Sequence, residues 1–191
     1  IYLKAIEPFV TAVNTAGEGI VSIDVHAGGE LGRDPRQQLQ LIADGTADIA
    51  FIIPGYTPER FPDNGVIELP GLFYDVREAS LTFANLVERG ELRGYEDLVV
   101  IGPFAAEPSS IHSHLPAGSL DELAGQRIRV NNPVEAAAVT GLGMVPVPAP
   151  LAEASNAISA GTLDGTASPP SPLIEFGIAR VATNHYLLGI S

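Results

Sequence analysis

Short apolar runs alternate with stretches whose apolar residues recur at helical spacing, and glycine or proline stands at nearly every junction between them. This alternation is the strongest constraint on the fold. Period-2 or continuous apolar runs read as strands, and period-3.6 stripes read as helices. Strands are expected over 20–25, 48–53, 64–69, 98–102, 109–114, 127–130, 144–147, 163–167 and 181–188. Helices are expected over 1–14, from the Asp34-Pro35 cap onward, over 75–89 from an Asp75 cap, over 134–140 and 151–160, and over 172–178. A short helical turn is expected from Ser119, with Glu122 as its capping-box partner. In the helix over 75–89, Ala79, Leu81, Phe83 and Leu86 form the apolar face.

Strands that alternate with helices argue for an α/β fold with a mostly parallel sheet, because parallel neighbours need a covering crossover. Gln38–Ala50 (QLQLIADGTADIA) and Ser155–Thr166 (SNAISAGTLDGT) share one plan: a helix, then Gly-Thr, one apolar residue, Asp and a strand. A common helix stop before a strand explains the echo, and so do two lobes built alike. The loop-like Pro116–Gly118 is the best boundary, giving a first α/β lobe over 1–115 and a second over 116–191. Doubly wound domains usually begin with a strand and close with a helix. This sequence opens on a helical pattern and ends on a strand, so both lobes are expected to be incomplete.

Composition narrows the partners. The net charge is −13, with ten Lys and Arg among 191 residues and no basic run. Such a chain cannot build the basic face that nucleic acid or an anionic membrane surface requires. An anionic small ligand stays possible, because one buried arginine acts locally while surface charge is screened within about 8–10 Å. Cysteine is absent, which removes disulfides, thiolate metal sites and cysteine nucleophiles together. No apolar stretch approaches the roughly 20 residues of a membrane helix.

Catalytic signatures are thin. There is no G-x-S-x-G elbow, Walker loop or G-x-G-x-x-G. His112 and His114 fall on one face of an expected strand, but a metal needs a third ligand nearby, so they read as hydrogen-bonded or solvated histidines. No metal site, no cofactor and no enzymatic activity are expected. Arginine is the informative residue type. In QRIRV, Arg127 and Arg129 leave one face of a strand, with Ile128 and Val130 on the other. A guanidinium at a strand end, followed by Asn131, Asn132 and a helix opening near Pro133, can grip a carboxylate bidentately, with the helix N-terminus adding N–H donors. Taken alone, such a pair more often serves surface ion pairs.

The residues around the pair carry a resemblance. GGELGRDPRQQLQLIADGTADIAF, RFPDNGVIELPGLF, SLDELAGQRIRVNNP, GMVPVPAPLAEASNAISAGTLDG and VATNHYLL follow one another along nearly the whole chain. In this order the sequence resembles the solute-binding subunits of TRAP transporters, the DctP-type family. The resemblance implies a periplasmic, two-lobed, type II-like binding protein that closes about a hinge. It would capture a small organic carboxylate and deliver it to a TRAP membrane permease. It also implies that the carboxylate-gripping arginine, at the second basic position after the SL-D-x-L-x-G turn, is Arg129 and not Arg127. Asn131, Asn132, Ser168, Pro169, Leu151, Ile53 and Tyr56 match cleft positions of the family, although ordinary packing also accounts for Leu151 and Tyr56. Ser109 stands where the sialic-acid branch has a second arginine, Ser168 replaces a common Asn, and Phe51–Pro54 is apolar where that branch is polar. These departures point away from a heavily hydroxylated sugar acid and toward a smaller or more apolar carboxylate. The same fold also serves as the input domain of receptors, which a membrane or kinase segment in the gene would reveal.

Overall fold

The computed structural model describes residues 2–191; Ile1, which opens the stripe expected over 1–14, lies outside them. Two compact units are present, Ile1–Ile52 and Ile53–Ser191.

In the first unit, a π-helical turn at Tyr2–Ile6 leads into helix α1, Glu7–Ala16. Asp34 caps the next helical segment as expected. Its side chain accepts from the Arg36 N–H at 2.9 Å, and Pro35 opens a 3₁₀ turn that runs into α2, Gln38–Ala43. The strand expected over 20–25 does not form. The Ile23 backbone is paired instead by the Asn14 side chain, which donates to Ile23 O at 3.0 Å and accepts from Ile23 N–H at 2.7 Å. The run 48–53 likewise joins no ladder, and Ile49 and Phe51 stay largely exposed.

The second unit holds α3 (Val76–Glu88), α4 (Pro133–Gly141) and α5 (Leu151–Ser159). Its strands are β1 (Ser110–Ser113), β2 (Arg127–Val130), β3 (Val145–Pro148), β4 (Gly165–Ser168) and β5 (Asn184–Tyr186). They form one sheet in the order β3-β2-β4-β1-β5. β1, which precedes the boundary expected at 115/116, is hydrogen-bonded into this sheet. The expectation of a mostly parallel sheet needs correction. β2 runs parallel to β3 and β4, whereas β1 is antiparallel to both β4 and β5. Only 3₁₀ turns, Ser171–Leu173 and Ile178–Arg180, separate β4 from β5. The helix expected over 172–178 gives way to these turns, with Gly177 at φ +67° between them.

Other expectations also give way. Residues 64–69 contain a 3₁₀ turn at Asn64–Val66, and 98–102 forms no strand, with Val99 94% exposed. An apolar run has a reason to be buried, but a strand also needs a neighbour for its backbone groups, and these runs have none among the described residues. Asp75 caps α3 through the Glu78 N–H at 2.8 Å, and Ala79 and Phe83 are buried as expected, while Leu81 is exposed. Glu122 reaches back to the Gly118 N–H at 2.9 Å rather than forming a capping box with Ser119.

Two apolar clusters fix how β2 and α5 are seated. Ile128 and Val130 of β2 pack with Val139 of α4, Ile111, Ala167 and Met144. Ala154 and Ile158 of α5 pack with Leu163, Leu173 and Ile178, and Val147 and Leu151 lie against them. Arg129 is paired in register with Val147, so its side chain leaves β2 on the α5 side, away from Ile128.

Candidate functional site

The register continues this row across the whole sheet. Val147, Arg129, Thr166, His112 and His185 face one another on β3, β2, β4, β1 and β5 in turn. Arg129, Thr166 and His112 are at most 1% exposed. This is a buried polar line on one side of a sheet whose other side is apolar. Gly165 lets β4 approach that closely: a Cβ there would lie 2.4 Å from the His112 carbonyl oxygen and 3.0 Å from Ile128 Cδ1.

The two arginines of β2 have different partners. Arg127 grips Asp164, with Nε to Oδ2 at 3.0 Å and Nη2 to Oδ1 at 2.8 Å, and also donates to the Gly161 carbonyl at 2.8 Å. The hydrogen bond from Arg127 holds the Asp164 carboxyl below its ordinary pKa. Arg129 has only neutral acceptors. Nε donates to Ala149 O at 2.6 Å and Nη1 to Ala167 O at 3.1 Å. Nη2 donates to the Tyr56 hydroxyl and to Asn131 Oδ1, each at 3.1 Å. Among the described residues no carboxylate lies within 4.0 Å of this guanidinium. Of its five N–H groups, one on Nη1 has no acceptor there. Burial pulls the Arg129 pKa down, opposed by Tyr56 and by the more distant Glu135 and Glu153. An arginine nonetheless stays charged, because its unperturbed pKa is so high. The arrangement is a desolvated cation with no anion in direct contact.

The Tyr56 oxygen also accepts from the Leu151 N–H at 3.1 Å, at the first residue of α5. Pro150 precedes that helix, and no side chain caps it. Tyr56 ends the 3₁₀ turn Pro54–Tyr56, and its N–H reaches the Ile53 carbonyl at 3.1 Å. Tyr56 and Asn131 therefore meet Arg129 directly, and Leu151 is joined to it through the Tyr56 hydroxyl, with Ile53 at the head of the Tyr56 turn. Ser168, 1% exposed, follows the Ala167 carbonyl that Arg129 uses. Its own carbonyl accepts from His112 Nε2 at 3.0 Å, and its hydroxyl donates to Pro169 O at 2.9 Å. Burial lowers the His112 pKa, opposed by the bond to the Ser168 carbonyl.

Asn132 and Ser109 belong to an adjoining network. Asn132 caps α4 through the Glu135 N–H at 2.8 Å. Ser109 donates to Glu135 Oε1, and the Asn131 N–H donates to Oε2, both at 2.5 Å. Burial pushes the Glu135 carboxyl up against these bonds. Glu68, raised to about 7 by burial and by Glu135, accepts from Asn64 at 3.3 Å. A Cβ on the buried Gly55 would lie 3.0 Å from Asn132 Cβ and 3.1 Å from both Asn131 Nδ2 and Glu68 Oε1, so only glycine lets this turn seat there. Sequence reasoning missed Glu135 and Glu68. The Asn132-x-x-Glu135 spacing reads as a helix cap and gives no sign of burial.

Among the described residues no group of three His, Asp or Glu is placed to hold a metal, and no helix is long and apolar enough to cross a membrane. Two surface concavities of about 390 and 400 Å³ lie elsewhere, and neither is lined by Arg129.

The mixed α/β unit thus carries a buried arginine near the carboxyl end of β2, the end of a strand at which open α/β sheets hold ligands. The profile of the bacterial extracellular solute-binding protein family 7, DctP, matches residues 1–189, and the chain belongs to this family of TRAP solute-binding proteins. It is 26% identical to a solute-binding protein of Verminephrobacter eiseniae over 194 residues, which is 97% of this chain and 56% of that protein. A TRAP solute-binding protein from a marine metagenome, described as specific for aromatic acid ligands and bound to 3-hydroxybenzoate, superposes with a TM-score of 0.88. Its identity to this chain is 26%, over 95% of this chain and 57% of that one. A TRAP protein of Sulfitobacter sp. NAS-14.1 holding β-D-galacturonate shares the fold at 22% identity and TM-score 0.78, over 95% of this chain and 63% of that one. The chain thus spans a little over half the length of the first two of these relatives.

Proposed function

We propose that this chain captures a small organic monocarboxylate on Arg129, in the periplasm, and presents it to a TRAP membrane permease. The observation that carries this reading is the Arg129 guanidinium, 1% exposed and surrounded by neutral oxygens alone. A carboxylate would supply the missing countercharge through charge-assisted bonds in a water-poor site. Asn131, Leu151, Ser168, Pro169, Ile53 and Tyr56 form the surroundings, with Asn132 and Ser109 fixing the Glu135 network beside them. An aromatic or short-chain acid fits best. The aromatic-acid relative supports this, as does the scarcity of polar groups in Phe51–Pro54. Lobes at 1–115 and 116–191 that close on the ligand belong to the same proposal, with the permease reading the closed shape.

Calorimetry with 3-hydroxybenzoate, benzoate, keto acids and C4-diacids tests it. Arg129→Gln is expected to weaken binding of the preferred acid at least 100-fold, since the buried carboxylate loses its charged partner. Undiminished affinity in that variant would refute the reading.

A further inference from the structure

We infer that the Tyr56 hydroxyl is a placeholder for one ligand carboxylate oxygen, and that ligand uptake displaces it from Arg129 and from the N-terminus of α5. The inference rests on the carboxylate reading above and deepens it. Arg129 is 1% exposed and only one Nη1 N–H lacks an acceptor among the described residues, so a carboxylate can engage two of its N–H groups only if an acceptor already on it moves away. Of the four acceptors, Ala149 O and Ala167 O are backbone carbonyls. Ala167 is fixed within β4, and Ala149 directly follows β3, where its own N–H is tied to Val130 O at 3.3 Å. Asn131 is two residues along the same chain, its backbone tied to Glu135. Tyr56 alone comes from a distant segment, 73 positions away, and is carried on a single 3₁₀ turn. It is the acceptor that can leave without unpicking the sheet.

The oxygen also occupies the position an anion would choose. Two donors from different elements converge on it, Arg129 Nη2 and the Leu151 N–H, each at 3.1 Å. The α5 end has no side-chain cap, so a carboxylate oxygen arriving there meets both a full positive charge and the positive end of a nine-residue helix. Charge-assisted bonds to a carboxylate are roughly twice as strong as those to a neutral hydroxyl. The exchange therefore runs toward the ligand, while in its absence the phenol satisfies donors that burial would otherwise leave unpaired.

Tyr56→Phe separates a placeholder from a ligand contact by the sign of its effect. The variant loses the acceptor in the free state only, so its affinity for 3-hydroxybenzoate or benzoate by calorimetry is expected to rise about three- to tenfold. Its thermal midpoint without ligand should fall, and the rise on adding ligand should exceed that of the parent protein. Weaker binding would mean that the hydroxyl stays and donates to the carboxylate, and would overturn the inference. Equal affinity would overturn it as well. Arg129→Gln, measured alongside, keeps the two claims apart. If it binds as well as the parent, the carboxylate reading itself fails, whatever Tyr56→Phe does.

Discussion

Arg127 and Arg129 leave β2 on the same face two residues apart, yet they occupy opposite electrostatic situations. At the N-terminal end of the strand, a guanidinium 42% exposed is held by Asp164, which ties β2 to the start of β4. At the C-terminal end, a guanidinium 1% exposed meets only carbonyls, an amide and a phenol. Burial raises the Glu135 carboxyl beside this end, and although Glu135 and Glu153 both act on Arg129 from a distance, neither touches it. A half-exposed ion pair contributes modestly to stability and leaves nothing for a ligand to satisfy. A desolvated cation without an anion is costly to keep and therefore available to bind one. Residue type and strand face do not separate these roles; the partners do.

The most damaging change to both ends at once is Gly165→Ala. Gly165 pairs with Ile128, midway between the arginines, and an added Cβ would press on the His112 carbonyl and on Ile128 Cδ1 at 2.4 and 3.0 Å. β4 would have to move away from β1 and β2, carrying Asp164 from Arg127 and Ala167 O from Arg129. Overpacking of this kind is expected to cost about 3 kcal/mol in denaturant unfolding. A variant as stable as the parent would mean that the sheet yields at this point and does not fix the two environments.

The contrast between the arginines is only partly legible in the sequence. The alternation in QRIRV gives the strand and its shared face, and Asn132-Pro133 gives the start of the helix beyond it. Asp34 and Asp75 mark their helices for the same reason: a cap is a contact within a few residues. What cannot be read locally is the partner. Tyr56 meets Arg129 across 73 positions and Asp164 meets Arg127 across 37, and no periodicity encodes such distances. The runs over 20–25, 48–53 and 98–102 fail as strands for the same reason, since apolar content does not supply a ladder. The family resemblance, not the pattern of residues, distinguished Arg129 from its neighbour.

The acids at the C-terminal end give that region its own pH signature. In the folded protein Glu68 holds its proton up to about pH 7, while unfolded it releases it near 4.5. Between those values the folded state binds more protons, so stability falls as pH rises through this window and levels off above it. The loss should be on the order of 2 kcal/mol, allowing for partial exposure of the side chain. Glu135 contributes in the same direction. Glu68→Gln is expected to flatten the slope, compared by urea midpoints at pH 5 and pH 8. An unchanged slope would mean that Glu68 ionises in the folded protein as it does in the unfolded chain.

The N-terminal end should respond weakly and with the opposite sign. Arg127 lowers the Asp164 pKa below its ordinary 3.8, so the pair's stabilisation is fully present above that value and disappears as acid carries the pH through the lowered folded one. Near neutral pH, Asp164→Asn removes the charge while an amide oxygen can still accept from the Arg127 N–H, which Asp164 Oδ2 receives at 2.8 Å. With Arg127 42% exposed, solvent already screens much of the attraction, and the cost is expected to be about 0.5–1 kcal/mol. Carboxylate affinity should stay within twofold of the parent, because the Arg129 acceptors come from β4, the segment after β3, Asn131 and Tyr56, none of which contacts Asp164 through its side chain. If Asp164→Asn instead weakened binding tenfold, the two ends of β2 would be one coupled electrostatic unit, and the division of labour between the arginines would be wrong.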